Sequence, residues 1–153
     1  MSDIDGLSLV LRWLHIVGAV LAVGGAVFAR FVLLPAAGEL PDAARRTLRD
    51  AVRRRYGRLF LIALLILLVT GFANYALYAM PRHHGQGAYH MVMAAKIVLA
   101  FGVFFIGSAL TGRAPAFEGI RRHASRWLLL NILLGLGIIA LAGVARLMPV
   151  VSG

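Results

Sequence analysis

Residues 59–80 read LFLIALLILLVTGFANYALYAM, an apolar run without one charged side chain. A helix needs about 20 such residues to cross the roughly 30 Å hydrocarbon layer of a bilayer. Leu and Ala dominate, and no alternation of apolar and polar positions is present, so the run is a helix and not a barrel strand. Working outward, three more apolar segments have the same character: about 7–37, about 88–112 and about 127–148. Pro35 and Pro41, then Pro81 with Gly85 and Gly87, then Pro115 with Gly119 punctuate the connections. The expectation is an all-α integral membrane four-helix bundle forming one domain over residues 1–153.

Composition agrees. Of 153 residues, 61% are hydrophobic and 14% charged, against about 45–50% and about 25% in soluble domains. So few charges cannot cover so much apolar surface, which excludes a water-soluble enzyme domain and a disordered chain. With no cysteine, disulfides, thiolate catalysis and iron–sulfur ligation are excluded. The opening MSDIDG is acidic where a cleavable signal is basic, so the first helix is expected to be retained.

The net charge of +10 is concentrated in arginines between the apolar runs. The connection about 38–58 holds Arg45, Arg46, Arg49, Arg53, Arg54, Arg55 and Arg58; the connection about 113–126 holds Arg113, Arg121, Arg122 and Arg126. The positive-inside rule places both in the cytoplasm, with the N- and C-termini and the connection around His83 and His84 outside, in a multi-pass inner-membrane protein. These arginines are expected to face anionic lipid headgroups, with Asp42 to Arg58 continuing as a helix along the membrane surface. No aromatic-interleaved basic surface is present, so nucleic acid is not an expected partner.

Two polar residues stand out within the spans. Lys96 is the only lysine, and no Asp or Glu occurs inside any span to neutralise it. Eight residues into its helix, at about 1.5 Å per residue, it lies roughly 12 Å below the outer boundary. A charge at mid-helix costs about 2.5–3.5 kcal/mol. Lys96 must therefore lose its charge, meet an anionic ligand, or snorkel toward the outer end. His15 reaches a similar depth on the first helix. Its face continues through Gly18, Ala19, Ala22, Gly25, Ala26 and Ala29, a stripe that lets another backbone approach and that also suits a homo-oligomer. A lone intramembrane histidine can be a hydrogen-bonded core residue. Paired with a lysine at equal depth, it can also ligate a haem iron or grip a porphyrin and its propionates.

A second cluster is expected at the outer face: Met80, His83, His84, His90, Met91, Met93 and Met148. Thioethers and imidazoles suit copper, although methionine is also ordinary apolar filler. His90 stands about 120° around its helix from Lys96 and can supply a further ligand from the side. Asn74 and Asn131 are candidates for interhelical hydrogen bonds, and Trp13, Tyr75, Tyr78 and Tyr89 for an outer aromatic belt.

The stretches RWLHIVGAVLAVGGAVFARFVLLP, RRRYGRLFLIALLILLVTGFANYAL, AYHMVMAAKIVLAFGVFFIGSALTGR and RRHASRWLLLNILLGLGIIALAG together resemble two related membrane families over nearly the whole chain. One is the CopD copper-resistance domain and the other the HemJ-type protoporphyrinogen oxidase. The HemJ-type resemblance implies an oxidoreductase associated with haem b, with a functional histidine on the first helix and lysine on the third, here His15 and Lys96. The CopD resemblance implies copper handling from the periplasm through the outer Met/His cluster. A cofactor-free accessory subunit is the third expectation.

Overall fold

The computed structural model describes residues 6–83 and 85–148. Four long helices account for nearly all of them: α1 Gly6–Gly38, α2 Asp42–Ala79, α3 Gly87–Thr111 and α4 Ala124–Leu147. No strand occurs among the described residues. Each helix is long and apolar enough to cross a membrane, and the protein is a multi-pass membrane protein.

The distribution of side-chain size follows from that solvent. Large apolar groups point outward, with Phe72 and Met91 each 74% exposed. The buried positions are mostly small: Ala22, Ala26, Ala63 and Ala109. Lipid tails are as apolar as leucine, so helices in a bilayer associate through close packing and not through the hydrophobic effect. Each seam accordingly sets a protruding side chain against a glycine. Leu67 packs on Gly18, Val23 on Gly135, Leu134 on Gly102, and the Phe60 ring covers Gly107 so closely that a Cβ there would overlap it.

The bundle consists of two antiparallel hairpins, α1–α2 and α3–α4. They meet where α2 crosses α3, at Gly57 beside Thr111 and Phe60 beside Gly107, and where the second half of α1 packs on α4. Two π-helical turns, Val20–Gly24 and Ala29–Leu33, interrupt α1. Each accommodates an extra residue and rotates the faces that follow. The segment before them, Gly6–Ala19, packs chiefly on α2; the segment containing them also reaches α4. A third π turn, Tyr75–Ala79, ends α2.

The arginine-rich stretch 42–58 differs from expectation. The connection between α1 and α2 is confined to residues 39–41, and Asp42–Asn74 is one uninterrupted helix. Residues 42–58 therefore extend the spanning helix and do not turn onto the membrane plane. Two arginines hold them there. Arg45 donates to the carbonyls of Ala37, Gly38 and Leu40 at the end of α1, and Arg53 donates to those of Thr111 and Gly112 at the end of α3. The last carbonyls of a helix lack intrahelical partners and carry partial negative charge, so a guanidinium satisfies both needs. Arg121, on the short helix Glu118–Arg122, adds bonds to Gly112 and Ala114 and a 2.7 Å ion pair with Glu118. That bond holds the Glu118 carboxyl below the ordinary range.

Replacing Gly107 by leucine drives a side chain into the Phe60 ring and is expected to cost about 1–3 kcal/mol. Gly143 has no neighbour near its absent Cβ, so Gly143→Ala is expected to be neutral or stabilising. Thermal unfolding in detergent measures both.

Candidate functional site

The termini of the bundle's helices define a basic end, carrying the arginines, and an opposite end, where α1 begins and α4 finishes. His15 lies toward the opposite end, half-buried between α1 and α2. Its ring rests over Gly71, whose missing side chain leaves the space: a Cβ there would stand 3.1 Å from His15 Cε1. His15 Nδ1 is 2.9 Å from Thr70 Oγ1. The Thr70 hydroxyl is buried and donates its one proton to the Ile66 carbonyl at 2.5 Å. The hydroxyl can then only accept from the imidazole. Nδ1 of His15 therefore carries hydrogen, and in the neutral ring Nε2 is left with its lone pair. Metal-ligating histidines are held this way, one nitrogen donating to a protein oxygen and the other free to coordinate.

Lys96 lies on α3, half-buried. No hydrogen bond or ion pair reaches the Lys96 amine among the described residues. The antiparallel pairing of α2 with α3 sets Gly71 and Asn74 within about one helical turn of the same height. Asn74 Oδ1 is buried there with no hydrogen-bond partner. An amide oxygen left unpaired away from water costs about 1–3 kcal/mol. Around this level lie a lone-pair nitrogen on α1, an unsatisfied acceptor on α2 and an amine on α3.

The residues of the expected copper cluster are placed less closely. His90 is half-buried, with Nδ1 3.1 Å from the Tyr75 hydroxyl. His83 is buried, stacked on Tyr89 at 3.7 Å between ring centroids and bonded through Nδ1 to Gln86 at 2.6 Å. Tyr89 is thereby a core residue and not part of a lipid-facing belt. Met80 and Met91 are exposed; Met93 and Met148 are half-buried. His84 lies outside the described residues. Among the described residues no three His, Asp or Glu side chains converge on a metal position.

Thr70 and Gly71 are the site residues that sequence reasoning missed. Thr70 is the only serine or threonine in 59–80, and Thr70, Gly71 and Asn74 share one helical face. That polar and small stripe in an otherwise aliphatic run is the signal that could have found them. Asn131 on α4 is a separate feature toward the basic end, 4% exposed with Oδ1 unpaired. Comparison with family models, characterised proteins and solved structures finds no match to this chain.

Nitrogen NMR of histidine-labelled protein is expected to report His15 with its proton on Nδ1. Thr70→Val removes the acceptor while keeping the shape. It should release that tautomer preference and lower stability by about 1 kcal/mol.

Proposed function

We propose that the protein binds a tetrapyrrole, with haem b as the leading candidate, in which His15 would hold the iron and Lys96 would supply the countercharge to a propionate. The observation that carries this reading is the Thr70 hydrogen bond, which leaves Nε2 of His15 unprotonated and oriented by a second residue. Neutral imidazole in a fixed orientation is the form that ligates iron.

The polar inventory supports the same ligand class. The spans hold no carboxylate of their own, so an amine at this depth gains most from an anion that arrives with an apolar body. A porphyrin supplies both: a flat hydrocarbon face suited to the apolar layer, and carboxylates for Lys96. The donors present therefore fit the group. When bound, haem supplies one-electron redox chemistry at the membrane, in keeping with the HemJ-type resemblance. The chain's own contribution is to fix the His15 ring through Thr70, to seat that ring over Gly71, and to hold positive charge at Lys96.

The absorbance spectrum of detergent-purified protein tests the reading. A Soret band is expected, lost or strongly weakened in His15→Ala. Lys96→Ala should weaken retention of the pigment, and Lys96→Arg, which keeps the charge, should restore most of it. Protein that folds and stays colourless after incubation with haem overturns the proposal. Copper binding that persists in both alanine variants and disappears in Met91→Leu/Met93→Leu would replace it with the copper reading.

A further inference from the structure

The arginines of the basic end fall into two groups. Arg45, Arg53 and Arg121 are consumed within the protein, donating to carbonyls at the ends of α1 and α3 and to Asp42 or Glu118. Arg54, Arg55, Arg58 and Arg113 have no hydrogen bond or ion pair among the described residues. Those four converge. With Ala51 they line a cleft of about 380 Å³ that contains no carboxylate. A second cleft of about 510 Å³ adjoins it, sharing Arg54 and Arg113, and there Asp50 and Glu118 offset part of the charge.

Four like charges around one space repel each other unless an anion sits among them. Residues 54 and 58 are one turn apart on α2, and Arg113 is supplied by the chain just beyond α3. Arg53, by tying α2 to the carbonyls that end α3, sets the two sides of the cleft in register. Height matters as well: Arg58 immediately precedes the apolar run 59–80, and Arg113 follows the last residue of α3 by two. The cleft therefore lies at the edge of the hydrocarbon layer, where lipid phosphates lie. Guanidinium forks match phosphate oxygens in a bidentate way that a lone ammonium does not.

We propose that this cleft is a specific phosphate-binding site that takes the headgroup of an anionic phospholipid carrying more than one negative charge. The recognising groups are Arg54, Arg58 and Arg113, with Arg55 at the rim. A soluble polyphosphate shares the recognised chemistry, and the experiment separates the two sources.

The test is thermal stabilisation of delipidated protein in neutral detergent. The additions are phosphatidylcholine, singly charged phosphatidylglycerol, doubly charged cardiolipin, or inorganic pyrophosphate. Cardiolipin is expected to raise Tm at least several-fold more than phosphatidylglycerol does. Arg54→Gln/Arg58→Gln and, separately, Arg113→Gln should each weaken apparent cardiolipin affinity by fivefold or more. Arg46→Gln, which removes the same charge from outside both clefts, should leave it unchanged. The single variant provides the answer if the double one loses its helical circular dichroism. If pyrophosphate alone reproduces the shift and the variants abolish it, the phosphate site stands and its ligand is soluble. An equal loss in Arg46→Gln, or a shift that survives the cleft variants, overturns the site in favour of diffuse charge.

Discussion

The Phe60 ring lying over Gly107 is the contact on which the arrangement of the bundle depends. In lipid no hydrophobic force draws one apolar helix to another, so the helices stay together only where their surfaces interlock. The α2–α3 connection, residues 80–86, joins the hairpins only at the opposite end; near the basic end the bulky ring in a glycine notch holds them together. The rotation introduced by the π turns of α1 supplies the second join, by bringing Val23 onto Gly135. Toward the opposite end the link from α2 to α3 is the polar bond of Tyr75 with His90. The apolar clamp at one end and the polar one at the other leave His15, Asn74 and Lys96 between them.

The polar side chains of this middle region are economically used. Thr70 returns its proton to its own helix, which is common for a hydroxyl in an apolar helix and by itself has little consequence. Here the same hydroxyl then becomes a pure acceptor and decides which nitrogen of His15 carries hydrogen. One proton on α2 thus fixes the chemistry available on α1. A side chain at 71 would bring a Cβ to 3.1 Å from the imidazole and press the ring away by a few tenths of an ångström, so the neighbouring residue helps set the ring's place as Thr70 sets its proton.

Much of this was legible in the sequence. The spans were, because an unbroken apolar run of this length has one stable conformation in a bilayer. The packing face of α1 was also legible: Gly18, Ala22 and Ala26 are buried as their spacing requires. Depth along each helix is likewise readable, since rise per residue is independent of packing. Rotation is not. Which residue of α2 meets His15 depends on the register of the α1–α2 seam, so Thr70 could not be read from periodicity. The π turns leave no compositional trace in VLAVG or ARFVL. The capping role of Arg53 needs α2 and α3 to pack side by side, a long-range fact that a charge count reads only as topology.

The two groups of arginines show how one run of like charge can serve opposite ends. A helix that finishes in a membrane interface leaves carbonyls needing donors, and water is scarce there. Arg45 and Arg53 meet that need from the helix next door, so part of the arginine run joins the helices. Each guanidinium so used has its charge partly offset by the helix dipole. Arg54, Arg55, Arg58 and Arg113 have no such offset within the protein, and their proximity makes the compact state less favourable until a counter-anion arrives. The same imbalance recurs at the other site in miniature, where Lys96 lies in an apolar layer without a carboxylate in any span. In both places the chain supplies positive charge and leaves the negative partner to come from outside. The membrane itself holds such partners at the headgroup level but not at the depth of Lys96. If that amine keeps its charge and takes an anion, the anion has to come with an apolar molecule, which is why the two proposed sites call for different ligands.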